Sequence, residues 1–372
     1  MSSALFTPIQ LGGITLPNRI VVSPMCQYSA NDGCMSDWHL MHLGNLAASG
    51  AGLVVIEATG VTREGRISHG CTGLYSDDNE AAMKRVVDAC RRLTRNPIGV
   101  QLQHAGRKAS TQFPWAGGKG LGAKESPWPI LAPSALAFGE GWDTPREMSK
   151  DDMRAVVDAF VQAAGRARRI GLDAIEIHAA HGYLVHEFLS GLTNQRKDPY
   201  GGSLENRMRF PLEVARALRE AWPRDRCLGA RISSSDWIAG GFEIDESIAF
   251  VRELKSIGFD YVCASSGGLV PQARIQVGPG YQVPFAEKIK KAVPIAVRAV
   301  GMIADADQAE RLVAGGQADM VALARGFLDN PRWVWHAAER FGVKLEYVPQ
   351  YARSHPAVWP GSKLARPAAA GG

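Results

Sequence analysis

The chain has 372 residues, 46% of them hydrophobic and 21% charged, with a formal net charge of +5 and both signs interspersed. This is the balance of a globular enzyme with a sizeable core, and it favours anionic small molecules over a dedicated nucleic-acid surface. Six cysteines (Cys26, Cys34, Cys71, Cys90, Cys227, Cys263) are widely spread and never form C-x-x-C, which argues against zinc or iron–sulfur and for free thiols in a reducing, cytoplasmic compartment.

Residues 1–6 lack a basic segment followed by an apolar one, so no signal peptide is expected. No apolar stretch reaches the roughly 20 residues that cross a bilayer. Short β-branched runs follow at residues 20–23, 53–58, 98–103, 174–178, 228–232, 261–265, 295–300 and 320–324. Longer amphipathic segments separate them. In the segment 151–170, Met153, Val156, Val157, Phe160 and Ala164 recur at helical spacing, with Ser149 as N-terminal cap and Gly171 as stop. A second helix, 305–314, closes at Gly315-Gly316. Eight strand-then-helix units imply a parallel sheet, and eight is the number that closes: the expected fold is a (β/α)8 TIM barrel. One domain spans residues 1–353.

Residues 104–148 break the rhythm, being rich in Gly, Pro, Trp and Lys without periodicity. A loop this long after the third strand is expected to be functional, on the catalytic face. Residues 354–372 form an extension whose low-complexity end, from Leu364, should fray. Neither G-x-G-x-x-G nor G-x-x-x-x-G-K-[ST] occurs in a strand-to-helix context, so any nicotinamide must bind without a Rossmann domain.

The sharpest segment is His178-Ala179-Ala180-His181-Gly182-Tyr183, at the end of the fourth strand. Barrel enzymes place their sites at that end. Two imidazoles three residues apart offer two N–H donors to one substrate oxygen, and the Tyr183 phenol adds a proton source. Such a set suits chemistry that builds charge on oxygen and then protonates carbon. A satisfied core pair or half a metal site would use the same residues. No carboxylate or third histidine sits at ligand spacing, since His186 is eight residues after His178, and no metal is expected. His39 and His42 read as helix-surface or packing residues.

Several ordered motifs resemble the old yellow enzyme family. They are Ser23-Pro24-Met25-Cys26-Gln27-Tyr28, Gln101-Leu102-Gln103-His104-Ala105-Gly106-Arg107-Lys108, the H-A-A-H-G-Y-L run, and residues 194–207 with Tyr200-Gly201-Gly202-Ser203. Ala230-Arg231-Ile232-Ser233, Val300-Gly301-Met302-Ile303 and Ala324-Arg325 continue the order. Cysteine after S-P-M is similar to the "thermophilic-like" branch that includes xenobiotic reductases.

The resemblance implies bound FMN, reduced by NADPH or NADH. It places Ser23, Pro24, Met25, Cys26 and Gly60 along the isoalloxazine, with Gln101 on the pyrimidine edge, Arg231 near N1 and His178 also among the flavin-binding residues. Gly301, Met302, Ala324 and Arg325 would hold the phosphate. Arg325 can grip an oxyanion bidentately; Ala324 departs from the family's glycine. Cys26 would tune the flavin, although a free cysteine is by default a small buried residue. Tyr28 would face substrate, as would His178 and His181. Gln350-Tyr351-Ala352-Arg353 resembles a segment whose arginine reaches a neighbouring subunit's site, implying a homodimer or dimer of dimers. The implied reaction is ping-pong reduction of activated alkenes (enones, enals, maleimides, nitroalkenes), with hydride delivered to the β-carbon and Tyr183 as proton donor. A non-catalytic FMN-binding barrel and a dienoyl-CoA reductase-like barrel are the alternatives; the second would need a cysteine cluster and further domains, which this sequence lacks.

Overall fold

In the computed structural model, which describes residues 3–365, eight strands close into one parallel barrel. They are β1 (Ile20–Val22), β2 (Leu53–Gly60), β3 (Ile98–Gln103), β4 (Ala174–Ala179), β5 (Cys227–Ser233), β6 (Tyr261–Ser265), β7 (Ala296–Ala299) and β8 (Met320–Leu323). Closure is made by β1, whose Val21 pairs with Leu53 of β2 and with Ala322 of β8. Residues of β2 and β3 are buried throughout. That is why these strands read as continuous apolar runs: interior and helical shell cover both faces.

Around the sheet run α1 (Asp37–Ala47), α2 (Asp77–Arg91), α3 (Lys150–Ile170), α4 (Leu184–Leu189), α5 (Leu204–Ala221), α6 (Ile244–Ile257), α7 (Val283–Ala292) and α8 (Ala306–Ala314). Helix α3 shows how sequence sets an element. Ser149 caps its first turn in a box with Asp152, and Gly171, at φ 91°, ends it. Between them Met153, Val156, Phe160, Ala163, Ala167 and Ile170 are buried; each large apolar side chain stabilises by about 1.5–3 kcal/mol.

The barrel interior is stratified. At the N-terminal end Val21, Leu53, Ala174, Cys227 and Met320 form an apolar layer with Leu11 and Leu16. Those two belong to an antiparallel hairpin, Ile9–Leu11 with Ile14–Leu16, that plugs the barrel floor. Above lies a polar layer. Glu176 of β4 accepts from Gln101 Nε2 (2.7 Å) and from the Tyr261 hydroxyl (2.8 Å), and pairs with the fully buried guanidinium of Arg298. Gly229 is required there, because a Cβ would stand 2.2 Å from the Tyr261 ring.

One irregularity matters for the rim. Pairing between β2 and β3 shifts between Ile56 and Ala58, a bulge that leaves Glu57 as the extra residue. Residues 104–148 contain three short 3-10 turns and a two-stranded ribbon, Leu131–Ala132 with Arg146–Glu147. Beyond Arg353 the chain makes a last helical turn, Ser362–Ala365. The expected frayed end lies largely in residues 366–372, outside the described residues. Among the described residues no helix is long and apolar enough to cross a membrane.

Candidate active site

Side chains alternate along β4, so His178 turns inward two residues after Glu176. It stands in register with Arg231 of β5. After β4 the chain makes a tight turn in which His181 (φ 58°) and Gly182 (φ 73°) are both left-handed. At Gly182 a Cβ would lie 2.4 Å from the Gly268 carbonyl oxygen. Tyr183 then caps α4. The turn thus aims His181 and Tyr183 back over the strand end occupied by His178.

His178 Nε2 and His181 Nδ1 lie 3.2 Å apart. His178 Nδ1 accepts from the Ala180 amide at 3.2 Å, which puts the proton on Nε2. His181 Nε2 lies 2.7 Å from the Ser265 hydroxyl. Here the Ser265 hydroxyl donates to Gln282 Oε1 at 3.3 Å, and His181 Nδ1 accepts from His178 Nε2. Were the hydroxyl to turn and donate to His181 Nε2, the His181 proton would sit on Nδ1 and both N–H groups would be available to one substrate oxygen. The Tyr183 ring meets His178 edge-on, with centroids 4.8 Å apart. Burial, and next the Arg231 guanidinium, hold both imidazoles well below the usual histidine range. They are therefore neutral donors at physiological pH. Burial likewise raises the Tyr183 phenol and the Cys26 thiol, keeping both protonated.

Cys26, Tyr28 and Tyr183 pack against one cluster, with Ile67, Cys71, Ala105 and Ala109. The rim loop after β1 and the His–His–Tyr segment therefore face the same space. Tyr28 holds a φ of 51°, unusual for a bulky residue and a mark of local strain. It adjoins an aromatic wall from the 104–148 insertion, with Phe113 at 6.2 Å and Trp115 at 5.7 Å. Pro24 and Met25 are half-buried beside it. A separate cleft of about 510 Å³, lined by Asp32, Arg63, Arg66, His69 and Trp128, lies beside this space and holds none of the residues named from the motifs.

The donor set of the mouth suits a flavin. Buried polar atoms without a partner among the described residues include Ser23 Oγ, Gln103 Oε1 and Arg231 Nε. Each could serve a heterocycle edge, and a fixed cation suits an electron-accepting ring. Gly60 is buried. Gly301 has a φ of 113°, and a Cβ there would stand 2.6 Å from Gln282 Nε2. At the ends of β7 and β8, Met302, Ala324 and Arg325 follow. Arg325 is exposed and has no hydrogen bond or ion pair among the described residues, as an anion-gripping residue would be. Gln101 lies in the polar layer beside Glu176. Its amide nitrogen gives one N–H to Glu176 and the residue is 1% exposed, which leaves the second N–H and Oε1 for a ligand.

Arg353 sits exposed on the turn Pro349–Ser354 and makes no hydrogen bond or ion pair among the described residues. Neighbouring Tyr351 packs on Trp335 at 5.9 Å. His39 is no surface residue. It is fully buried, with Nε2 3.2 Å from Glu57, whose carboxylate also accepts from the Gln27 amide. The β2 bulge creates that pairing, which sequence spacing could not show. His42, on the same helix, is half-buried. Lys108 was also not singled out, although it lies within a quoted motif. Its ammonium donates to the carbonyls of His181 (2.9 Å) and Gly268 (3.0 Å) and stands 5.1 Å from the Tyr183 ring. Among the described residues no three His, Cys, Asp or Glu are grouped to hold a metal ion.

Comparison with known proteins agrees with this fold. The chain matches the NADH:flavin oxidoreductase / NADH oxidase family over residues 4–342, and it belongs to that family, the old yellow enzymes anticipated from the motifs. An NADPH dehydrogenase of Geobacillus thermodenitrificans (strain NG80-2) is 46% identical over 355 residues, 95% of this chain and 99% of the relative. Morphinone reductase superposes with a TM-score of 0.76 at 30% identity, over 93% of this chain and 91% of its own. A 2-naphthoyl-CoA reductase complexed with 2-naphthoyl-CoA gives a TM-score of 0.82 at 26% identity, over 93% of this chain. The chain spans only 53% of that larger protein.

Proposed function

We propose that this NAD(P)H-dependent FMN oxidoreductase is an ene-reductase acting on alkenes conjugated to a carbonyl or nitro group. The observation that carries the reading is the pairing of two neutral imidazoles, their facing nitrogens 3.2 Å apart, beside a protonated phenol. Bound FMN supplies the hydride relay from NADPH or NADH to the β-carbon. Ser23, Pro24, Met25, Cys26, Gly60, Gln101 and Arg231 would hold its ring, and Gly301, Met302, Ala324 and Arg325 its phosphate.

The protein's part is electrostatic and protonic. His178 and His181 take the substrate oxygen, drawing electron density from the double bond without losing a proton themselves. Each such donor stabilises the developing charge by about 3 kcal/mol. Tyr183 gives its proton to the α-carbon, and the Lys108 ammonium beside its ring offsets the phenolate left behind. Cys26 and Tyr28 wall the substrate side. Arg353, exposed and unpaired among the described residues, is available to a neighbouring copy's site in a homodimer or dimer of dimers.

Anaerobic spectrophotometry tests the reading. NADPH should bleach the yellow protein and cyclohexenone should restore the colour. A protein bleached by NADPH but never recoloured by enones, maleimides or nitroalkenes would not be an ene-reductase.

A further inference from the structure

Two consecutive left-handed residues between catalytic side chains are costly, about 1–3 kcal/mol for a non-glycine such as His181, unless contacts around them determine the conformation. Three side chains do so. The His181 amide donates to Ser233 Oγ (3.1 Å), its carbonyl accepts from Lys108, and the Gly182 amide donates to His186 Nδ1 at 2.9 Å. His186 lies one turn into α4 and is fully buried, as is Asp236, whose Oδ1 is 3.1 Å from His186 Nε2. Because Nδ1 accepts, the ring proton is on Nε2, which lies on the side of that carboxylate at ion-pair distance without hydrogen-bond alignment. Asp236 is itself anchored: Oδ2 accepts from Ser190 Oγ (2.8 Å) and from the Phe242 amide (2.7 Å).

We infer that His186, oriented by Asp236, is a positioning residue for alkene reduction: it locks the His181–Gly182 turn so that the oxyanion donors and Tyr183 share one geometry. The inference rests on the ene-reductase reading. Both side chains are fully buried and act through the turn. Their effect is confined to the step that uses the turn, which is proton and oxygen handling at the alkene rather than flavin reduction by NADPH.

Two isosteric substitutions separate positioning from plain stability. His186→Asn puts an amide oxygen where Nδ1 stands and keeps the acceptor for Gly182. His186→Gln puts an amide nitrogen where Nε2 stands, keeps the contact to Asp236 and frees the turn. Each loses one buried contact, so both should melt below wild type. With FMN-loaded protein in stopped flow, bleaching by NADPH should be near wild type in both. Recolouring by cyclohexenone should fall on the order of a hundredfold in His186→Gln, since displacement by about 1 Å costs that much, and stay within a few-fold in His186→Asn. Wild-type recolouring in His186→Gln, or equal losses in both variants, overturns the inference. If His186→Gln does not yield folded yellow protein, His186→Asn decides alone, and a collapse of its recolouring rate is disproof. Wild-type protein that bleaches but never recolours instead sinks the ene-reductase reading, and this role with it.

Discussion

Arg298→Met should destabilise the barrel without touching its mouth. Arg298 and Glu176 form a fully buried pair beneath the site. Removing one partner leaves an uncompensated buried charge, which costs about 3–5 kcal/mol. Gln101 and Tyr261 still donate to Glu176, which places the expected cost near the lower figure. For a 372-residue chain, an unfolding entropy of about 2.1 cal/mol/K per residue gives roughly 0.8 kcal/mol per degree, so Tm should fall by about 4–6 °C. Calorimetry of FMN-loaded protein at pH 7.5 measures it. Arg298→Met/Glu176→Gln keeps an acceptor for Gln101 and Tyr261 while removing the stranded charge, and should recover part of the loss. An Arg298→Met variant melting within a degree of wild type, or a double variant whose losses simply add, would refute the reasoning.

Burial holds His104 down to about 4 from an ordinary 6.5. Its folded-state pKa is lowered, so its contribution is intact above about pH 6.5, where the imidazole is neutral in both states. It is lost as pH falls from about 6.5 towards 4, where the unfolded chain takes up the proton first. That gap corresponds to roughly 3 kcal/mol. His104→Asn, whose amide oxygen can still accept from the Gly106 amide, should show a smaller Tm difference between pH 7.5 and 5 than wild type; equal differences would contradict this. Tyr183→Phe should leave NADPH bleaching intact and slow α-carbon protonation by about 10²–10⁴-fold. Solvent exchange should show whether the product's α-hydrogen still enters at one face, and an unchanged rate removes Tyr183 as donor.

The barrel was legible because eight apolar β-branched runs alternate with amphipathic helices and each strand is short and buried on both faces. The mouth was legible where chemistry is contiguous in the chain, as in His178 to Tyr183 or Ser23 to Tyr28. What escaped is what folding brings together from afar. Glu57 meets His39 only because a bulge turns it there, and no periodicity marks a bulge in a fully buried strand. Lys108 reaches the His181 carbonyl across 73 residues, and Asp236 meets His186 from the loop after β5. The floor hairpin escaped because its strands are three residues each, below the length at which alternation is readable. Gln101 was singled out from its motif, but its partner Glu176 lies on the adjacent strand.

The most direct test is single-turnover mixing of the His178→Ala variant. It should emerge yellow with FMN, bleach with NADPH close to the wild-type rate, and recolour with cyclohexenone at least a hundredfold more slowly, the cost of one lost oxyanion donor. Recolouring at the wild-type rate would contradict the role given to the paired imidazoles and the mechanism built on it.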